Sequence, residues 1–173
     1  ILMITVTLNR TEFEYDIHSL IKAFFPKEDV ELYYTKEAHA DEKNVACTNH
    51  SAEQEEAGSS HFSIDYADDR ISIAWDDAPD GPARRTFAVD FSNRPETKNA
   101  LKEHLYRLLE EEMGQPLPWG TLTGIRPTKI PMQMLDEGKT KAEIASYMKQ
   151  TYLASDEKIN LSIAIAERER ALL

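Results

Sequence analysis

The sequence predicts an α+β fold: a small mixed or antiparallel sheet with two packing helices, then a C-terminal cluster of about three short helices. Three observations predict it. Period-two apolar alternation recurs in short runs before residue 90, helical periodicity is sustained over "NRPETKNALKEHLYRLLEEEMG", and helix-capping signals crowd the last fifty residues. Residues 1–113 form the expected acidic α+β domain, residues 114–126 a linker carrying a distinctive loop, and residues 127–173 a helical segment. A chain of 173 residues, 41% hydrophobic and 29% charged, has enough apolar material for a true core and excludes wholesale disorder.

The elements follow in order. Residues 2–8 alternate as a strand, and the start lacks the basic region and small-residue cleavage site of a signal peptide. In "TEFEYDIHSLIKAFFP", Phe13, Ile17, Leu20, Ile21 and Phe24 fall near helical spacing before Pro26 stops the helix. "VELYYTK", residues 30–36, is β-rich. A polar stretch over about residues 37–60 has no usable period and is expected to be a long exposed loop. "HFSIDYADDRISIAWDD" reads as a hairpin, with Phe62, Ile64 and Tyr66 facing one way, a turn at Asp68 and Asp69, and Ile71, Ile73 and Trp75 returning. "RRTFAVDF" supplies another strand after the "APDGP" turn.

The next helix opens at Asn93 or Arg94 with Pro95 and Glu96 in its first turn, and Gly114 closes it. Ala100, Leu101, Leu105, Leu108 and Leu109 make its apolar stripe. A further helix is expected from Pro127 to about Glu137, ended by Gly138. Thr140 and Glu143 form a capping box for the next, and Ser155 caps the last, whose apolar positions include Ile159, Ile163 and Ala166.

Charge and motifs narrow the function. Up to Met113 there are 12 Lys and Arg against 24 Asp and Glu, a net of −12; from Gly114 the counts are 8 and 7, a net of +1. An acidic front repels phosphate backbones, so nucleic acid is not an expected partner. No apolar run is long enough to cross a membrane, and the single cysteine, Cys47, fits a reducing compartment, so the expected location is cytoplasmic. His39, Cys47, His50 and His61 stand at irregular spacings, with Cys47 and His50 the one chelating pair, and no metal site is expected. Asp65, Asp68, Asp69, Asp76, Asp77 and Asp80 suit turns. There is no phosphate-binding glycine loop, nucleophile elbow or paired-cysteine motif, so no catalytic residues are assigned and the chain by itself is expected to be non-catalytic.

The informative stretch is "LPWGTLTGIRPTKI", residues 117–130. Gly120 and Gly124 permit close backbone approach, Thr121, Thr123 and Thr128 offer hydroxyls, and Trp119 offers a flat apolar wall. Arg126 and Lys129 stand where a helix would point unpaired N–H groups. These residues compose either an anion pocket or a joining loop, in which Trp119 fills a gap and the cations pair with acidic neighbours.

"PWGTLTGIRPTKI", followed by "LDEGKTKAEIASYMKQTYLASDEKINLSIAIAERE", resembles the segment ahead of the catalytic core in oxygen-independent coproporphyrinogen III oxidase-like proteins of anaerobic Firmicutes, often called coproporphyrinogen dehydrogenases. "LNRTEFEYDIHSLIKAFFP" is similar to the beginning of the same proteins. The resemblance implies an N-terminal accessory domain of a parent protein in haem and porphyrin biosynthesis. In the parent a radical SAM core would follow, with a four-iron four-sulfur cluster and S-adenosylmethionine, and start oxidative decarboxylation of porphyrinogen propionates. Relatives in that superfamily also resemble haem-handling proteins. The implied partners are the radical SAM core and porphyrinogen. The residues leave open a macromolecule-binding or dimerisation module with no substrate contact.

Overall fold

The computed structural model describes residues 3–35 and 59–173. Two compact units divide the chain, residues 1–98 and 99–173. The dividing point falls inside a long helix, whereas composition changes character after Met113.

The first unit is built on β1 (Met3–Leu8), whose Ile4, Val6 and Leu8 are fully buried. A parallel neighbour requires a crossover, and α1 (Glu14–Phe24) provides it, carrying the chain to β2 (Asp29–Tyr34), which pairs parallel with β1. On the other side β1 pairs parallel with β3 (Ser59–Tyr66). β3, β4 (Arg70–Trp75) and β5 (Ala83–Ala88) then form an antiparallel meander, so the sheet order is β2-β1-β3-β4-β5. The sheet is mixed, as expected.

Register explains the core. Val6 lies opposite Phe62, Phe62 opposite Trp75, Ile64 opposite Ile73, and Ile71 opposite Phe87, so the apolar set of every strand falls on one face. The other face carries Thr5 opposite His61, Thr7 opposite Ser63, and Ser72 opposite Thr86. Phe62 and Trp75 stack at 4.7 Å, and Phe25 meets Trp75 edge-on at 5.9 Å. Phe25, rather than the expected Phe24 alone, thus supplies the buried ring at the end of α1. The reason is geometric: Phe25 lies past the last helical residue at φ −121°, and the chain's turn there aims its ring inward.

The hairpin expected over residues 61–77 is present as β3 and β4. The expected loop of residues 37–60 falls almost wholly outside the described residues, except that Ser59 and Ser60 belong to β3. Ser60 is buried because it has a job: it accepts a hydrogen bond from Trp75 Nε1 at 2.7 Å and donates to Asp77 Oδ1 at 3.1 Å. Asp77 also accepts from His61 N at 2.9 Å. Replacing Ser60 with alanine leaves the indole N–H without its acceptor, and a buried unpaired donor costs about 1–3 kcal/mol. A urea titration followed by tryptophan fluorescence is expected to show that loss, and an unchanged midpoint would discount the bond.

α2 (Arg94–Met113) starts as expected: Glu96 N donates to Asn93 Oδ1 at 3.3 Å, and Asn93 Nδ2 donates to Glu96 Oε2 at 2.7 Å. Leu101, Leu105, Leu108 and Leu109 are buried, joined by Tyr106. In the second unit, α3 (Lys129–Asp136), α4 (Lys141–Tyr152) and α5 (Asp156–Ala171) enclose a core of Leu122, Leu135, Ile144, Met148, Ala154, Ile159, Ile163 and Ala166. Thr140 and Glu143 make the reciprocal capping box, and Ser155 caps α5 by accepting from Lys158 N. α3 begins two residues later than expected. Pro127 and Thr128 lie in a turn that Lys129 N closes onto Arg126 O at 3.0 Å.

Candidate functional site

The loop of residues 117–128 is pinned at several points within its own unit. Tyr106 Oη accepts from Leu117 N at 2.9 Å. Gly120 N bonds to Leu117 O and Leu122 N to Trp119 O, which folds the chain into consecutive tight turns. Ser155 N donates to Pro118 O at 2.9 Å. Thr121 donates twice to Tyr152 O, from N at 2.7 Å and from Oγ1 at 3.2 Å. That carbonyl belongs to the last turn of α4, where helix oxygens lack intrahelical partners. Gly120 adopts φ +58°, and a Cβ there would stand 2.0 Å from Tyr152 O. Its missing side chain makes room for the chain's own backbone.

Trp119 is half-buried against the helical core, with Lys158 Nζ 5.7 Å above its ring. Leu122 sits inside that core. The first half of the loop is therefore a clamp between the end of α4 and the start of α5.

The second half is more open. Thr123 Oγ1 accepts from Lys102 Nζ at 3.2 Å. Gly124 is exposed at φ +72°. Arg126 is exposed and lies 3.5 Å from Glu169 Oε2, an oxygen that is itself buried and has no hydrogen-bond partner. Thr128 is buried at the head of α3, and its Oγ1 has no hydrogen-bond partner. Lys129 is exposed. Arg126 and Lys129 share an open groove of about 400 Å³ with Met132, Gln133, Asp136 and Glu137. Asp136 is held by Arg170 at 3.0 Å. The groove thus mixes two cations with two carboxylates. The helix start offers fewer free donors than a bare N-terminus, because Lys129 N is engaged and Pro131 has no N–H.

The eight residues singled out by sequence therefore divide. Trp119, Gly120 and Thr121 hold the loop to α4 and α5, while Arg126 and Lys129 line a common groove. A second groove, of about 490 Å³, was not anticipated; Ile130, Met134, Glu143, Tyr147 and Tyr152 are among its walls. Burial first, and then hydrogen bonding to Tyr147, raises the Tyr152 phenol above its ordinary value and keeps it a neutral donor. Its signal in sequence was two tyrosines near the end of one amphipathic helix.

His39, Cys47 and His50 lie outside the described residues. His61 Nδ1 is 2.9 Å from Thr5 Oγ1, and no group of three metal-ligating side chains gathers among the described residues. The turn aspartates are spread among local partners, with Asp69 on Arg70, Asp76 on Arg84 and Asp77 on β3.

Against known proteins, 88 residues, 49% of the chain, are 38% identical to the oxygen-independent coproporphyrinogen-III oxidase-like protein HemZ of Bacillus subtilis (strain 168). The resemblance read from the motif loop is borne out. The matched region covers 18% of HemZ, so the chain spans only a small share of that relative's length. No family model matches the chain. No solved structure matches it. No helix among the described residues is long and apolar enough to cross a membrane.

Proposed function

We propose that the chain is the N-terminal accessory region of an oxygen-independent coproporphyrinogen-III oxidase-like protein. In this reading it packs on the catalytic part of the same protein in the cytoplasm and helps hold the porphyrinogen. The observation that carries the reading is the 38% identity over 88 residues to HemZ. In this reading Arg126 and Lys129 are the groups that receive substrate carboxylates, with Arg126 offering paired donors and Lys129 a point charge. What supports this is their exposure on one groove.

A four-iron four-sulfur cluster needs three or four thiolates, and one cysteine in 173 residues does not fit it. In the proposed parent, cluster and S-adenosylmethionine therefore belong to the radical SAM core, and no step of the chemistry is assigned to this chain.

The test replaces Arg126 and Lys129 together with alanine in the full-length protein. Losing a solvent-exposed carboxylate contact is expected to raise KM for the porphyrinogen roughly tenfold with kcat little changed, the pattern of lost ground-state binding. Unchanged KM would remove the substrate role.

A second reading, a binding or dimerisation module without substrate contact, is favoured by one observation. Gly120 and Thr121 are spent on the α4–α5 junction. For nucleic acid, the net charge of −11 supports no binding to bulk RNA even at low salt.

A further inference from the structure

One carboxylate oxygen in the helical unit is cut off from water without a hydrogen bond. Glu169 Oε2, near the end of α5, is buried and accepts none, and Arg126 Nη2, 3.5 Å away, is its one ion-pair partner among the described residues. A charged oxygen removed from water and from its countercharge is costly, so the two groups stay together. The pair is lopsided. Glu169 turns Oε2 inward, whereas the Arg126 side chain is 67% exposed and forms a wall of the groove that also holds Lys129. Glu169 is not one of that groove's walls.

Both sides of the contact are fixed. Ile159, Ile163 and Ala166 anchor α5 in the helical core, and the residue after Glu169, Arg170, lies 3.0 Å from Asp136 on another wall of the groove. Arg126 O accepts from Lys129 N at 3.0 Å, which holds the Arg126 backbone in the turn ahead of α3. Nη2 faces Glu169, while Nε and Nη1 have no partner among the described residues, so most of the guanidinium fork stays open to a ligand. An arginine loses rotamer freedom when it takes a ligand, and one already held loses less.

We propose that Glu169 is a positioning residue for the carboxylate groove, holding the Arg126 guanidinium ready for a ligand carboxylate. The inference rests on the reading of Arg126 and Lys129 as carboxylate-binding groups. A competing role, in which the incoming carboxylate displaces Glu169, is opposed by the burial of Oε2, because displacement would strip that oxygen of its countercharge. Ligand and Glu169 therefore take different nitrogens of one fork.

The test is steady-state kinetics with coproporphyrinogen III on the full-length protein, alongside circular dichroism to confirm that each variant keeps its helices. Glu169→Ala is expected to raise KM about threefold with kcat little changed, since the ligand must then order a loose arginine. Arg126→Ala should raise KM about fivefold, and Glu169→Ala added to it should raise KM no further, because nothing is left to position. Glu167→Ala, which removes the 2.8 Å pair with Lys141 from the same helix, should leave KM unchanged. An unchanged or lower KM for Glu169→Ala, with that of Arg126→Ala still raised, overturns the positioning role and leaves the carboxylate reading standing. A further rise in the double variant also overturns the role, since Glu169 would then act apart from Arg126. An unchanged KM for Arg126→Ala overturns both.

Discussion

Replacing Gly120 with alanine is expected to destabilise the helical unit by about 3–5 kcal/mol, enough to unfold much of it. Three costs accumulate. An alanine held at φ +58° pays about 1–2 kcal/mol in left-handed backbone strain. Its Cβ would stand 2.0 Å from Tyr152 O and 2.5 Å from Leu153 C, and these are backbone atoms with no rotamer to escape through. Relieving such overpacking costs about 1–3 kcal/mol. If the loop lifts away instead, Thr121 loses its two bonds to Tyr152 O, worth about 1 kcal/mol each.

Gly138 is the control. It also has positive φ, +81°, but nothing lies within 4 Å of where a Cβ would be, so its alanine variant should lose only about 1 kcal/mol. The measurement is urea unfolding read by Trp119 in a Trp75→Phe background, since each unit holds one of the two tryptophans. Equal midpoints for the two glycine variants would mean that the approach to Tyr152 is not a constraint.

Local signals were the most legible part of this chain. The capping box at Thr140 and Glu143, the cap at Ser155 and the hairpin across Asp68 and Asp69 each rest on residues a few positions apart, where sequence order and spatial order coincide. The interior place of β1, between β2 and β3, was not legible, because parallel pairing joins Val6 to Leu32 and to Phe62, and nothing within either segment encodes its distant neighbour. The motif loop was half legible. A glycine that admits a ligand and one that admits the chain's own carbonyl look alike in sequence, and only the fold brings Tyr152 O to Gly120. Thr121, whose hydroxyl suits an anion pocket or a joining loop equally in sequence, donates to the end of α4. The sequence sets Arg126 and Lys129 beside a helix start, but not the carboxylates that meet them, since Asp136 and Glu137 line their groove from the far end of α3 and Glu169 reaches Arg126 from α5.

Raising the pH above 10 is expected to weaken the first unit steeply, and Tyr66 is the cause. Its hydroxyl donates to Glu12 O at 2.7 Å, its ring is 4% exposed, and Asn9 ties its backbone to the end of β1 through both side-chain amide atoms. Burial chiefly, and then the Glu12 carboxylate, raises the phenol well above its ordinary value near 10. Below pH 10 the phenol is neutral in folded and unfolded chains alike and contributes no slope. Above it the unfolded chain releases the proton while the folded chain retains it, so the unfolded state is favoured by about 1.4 kcal/mol per pH unit. By pH 12 the loss from Tyr66 reaches about 3 kcal/mol, a large fraction of the stability of a domain this size. Tyr34 is raised in the same direction, by burial and by its bond to Glu14, but it is largely solvated and adds less. The discriminating variant is Tyr66→Phe. At pH 8 it should lose only the bond to Glu12 O, about 1 kcal/mol, yet its stability should fall far less between pH 10 and 12. Parallel pH profiles for the two proteins, read by urea unfolding of Trp75, would assign the alkaline weakness to another group.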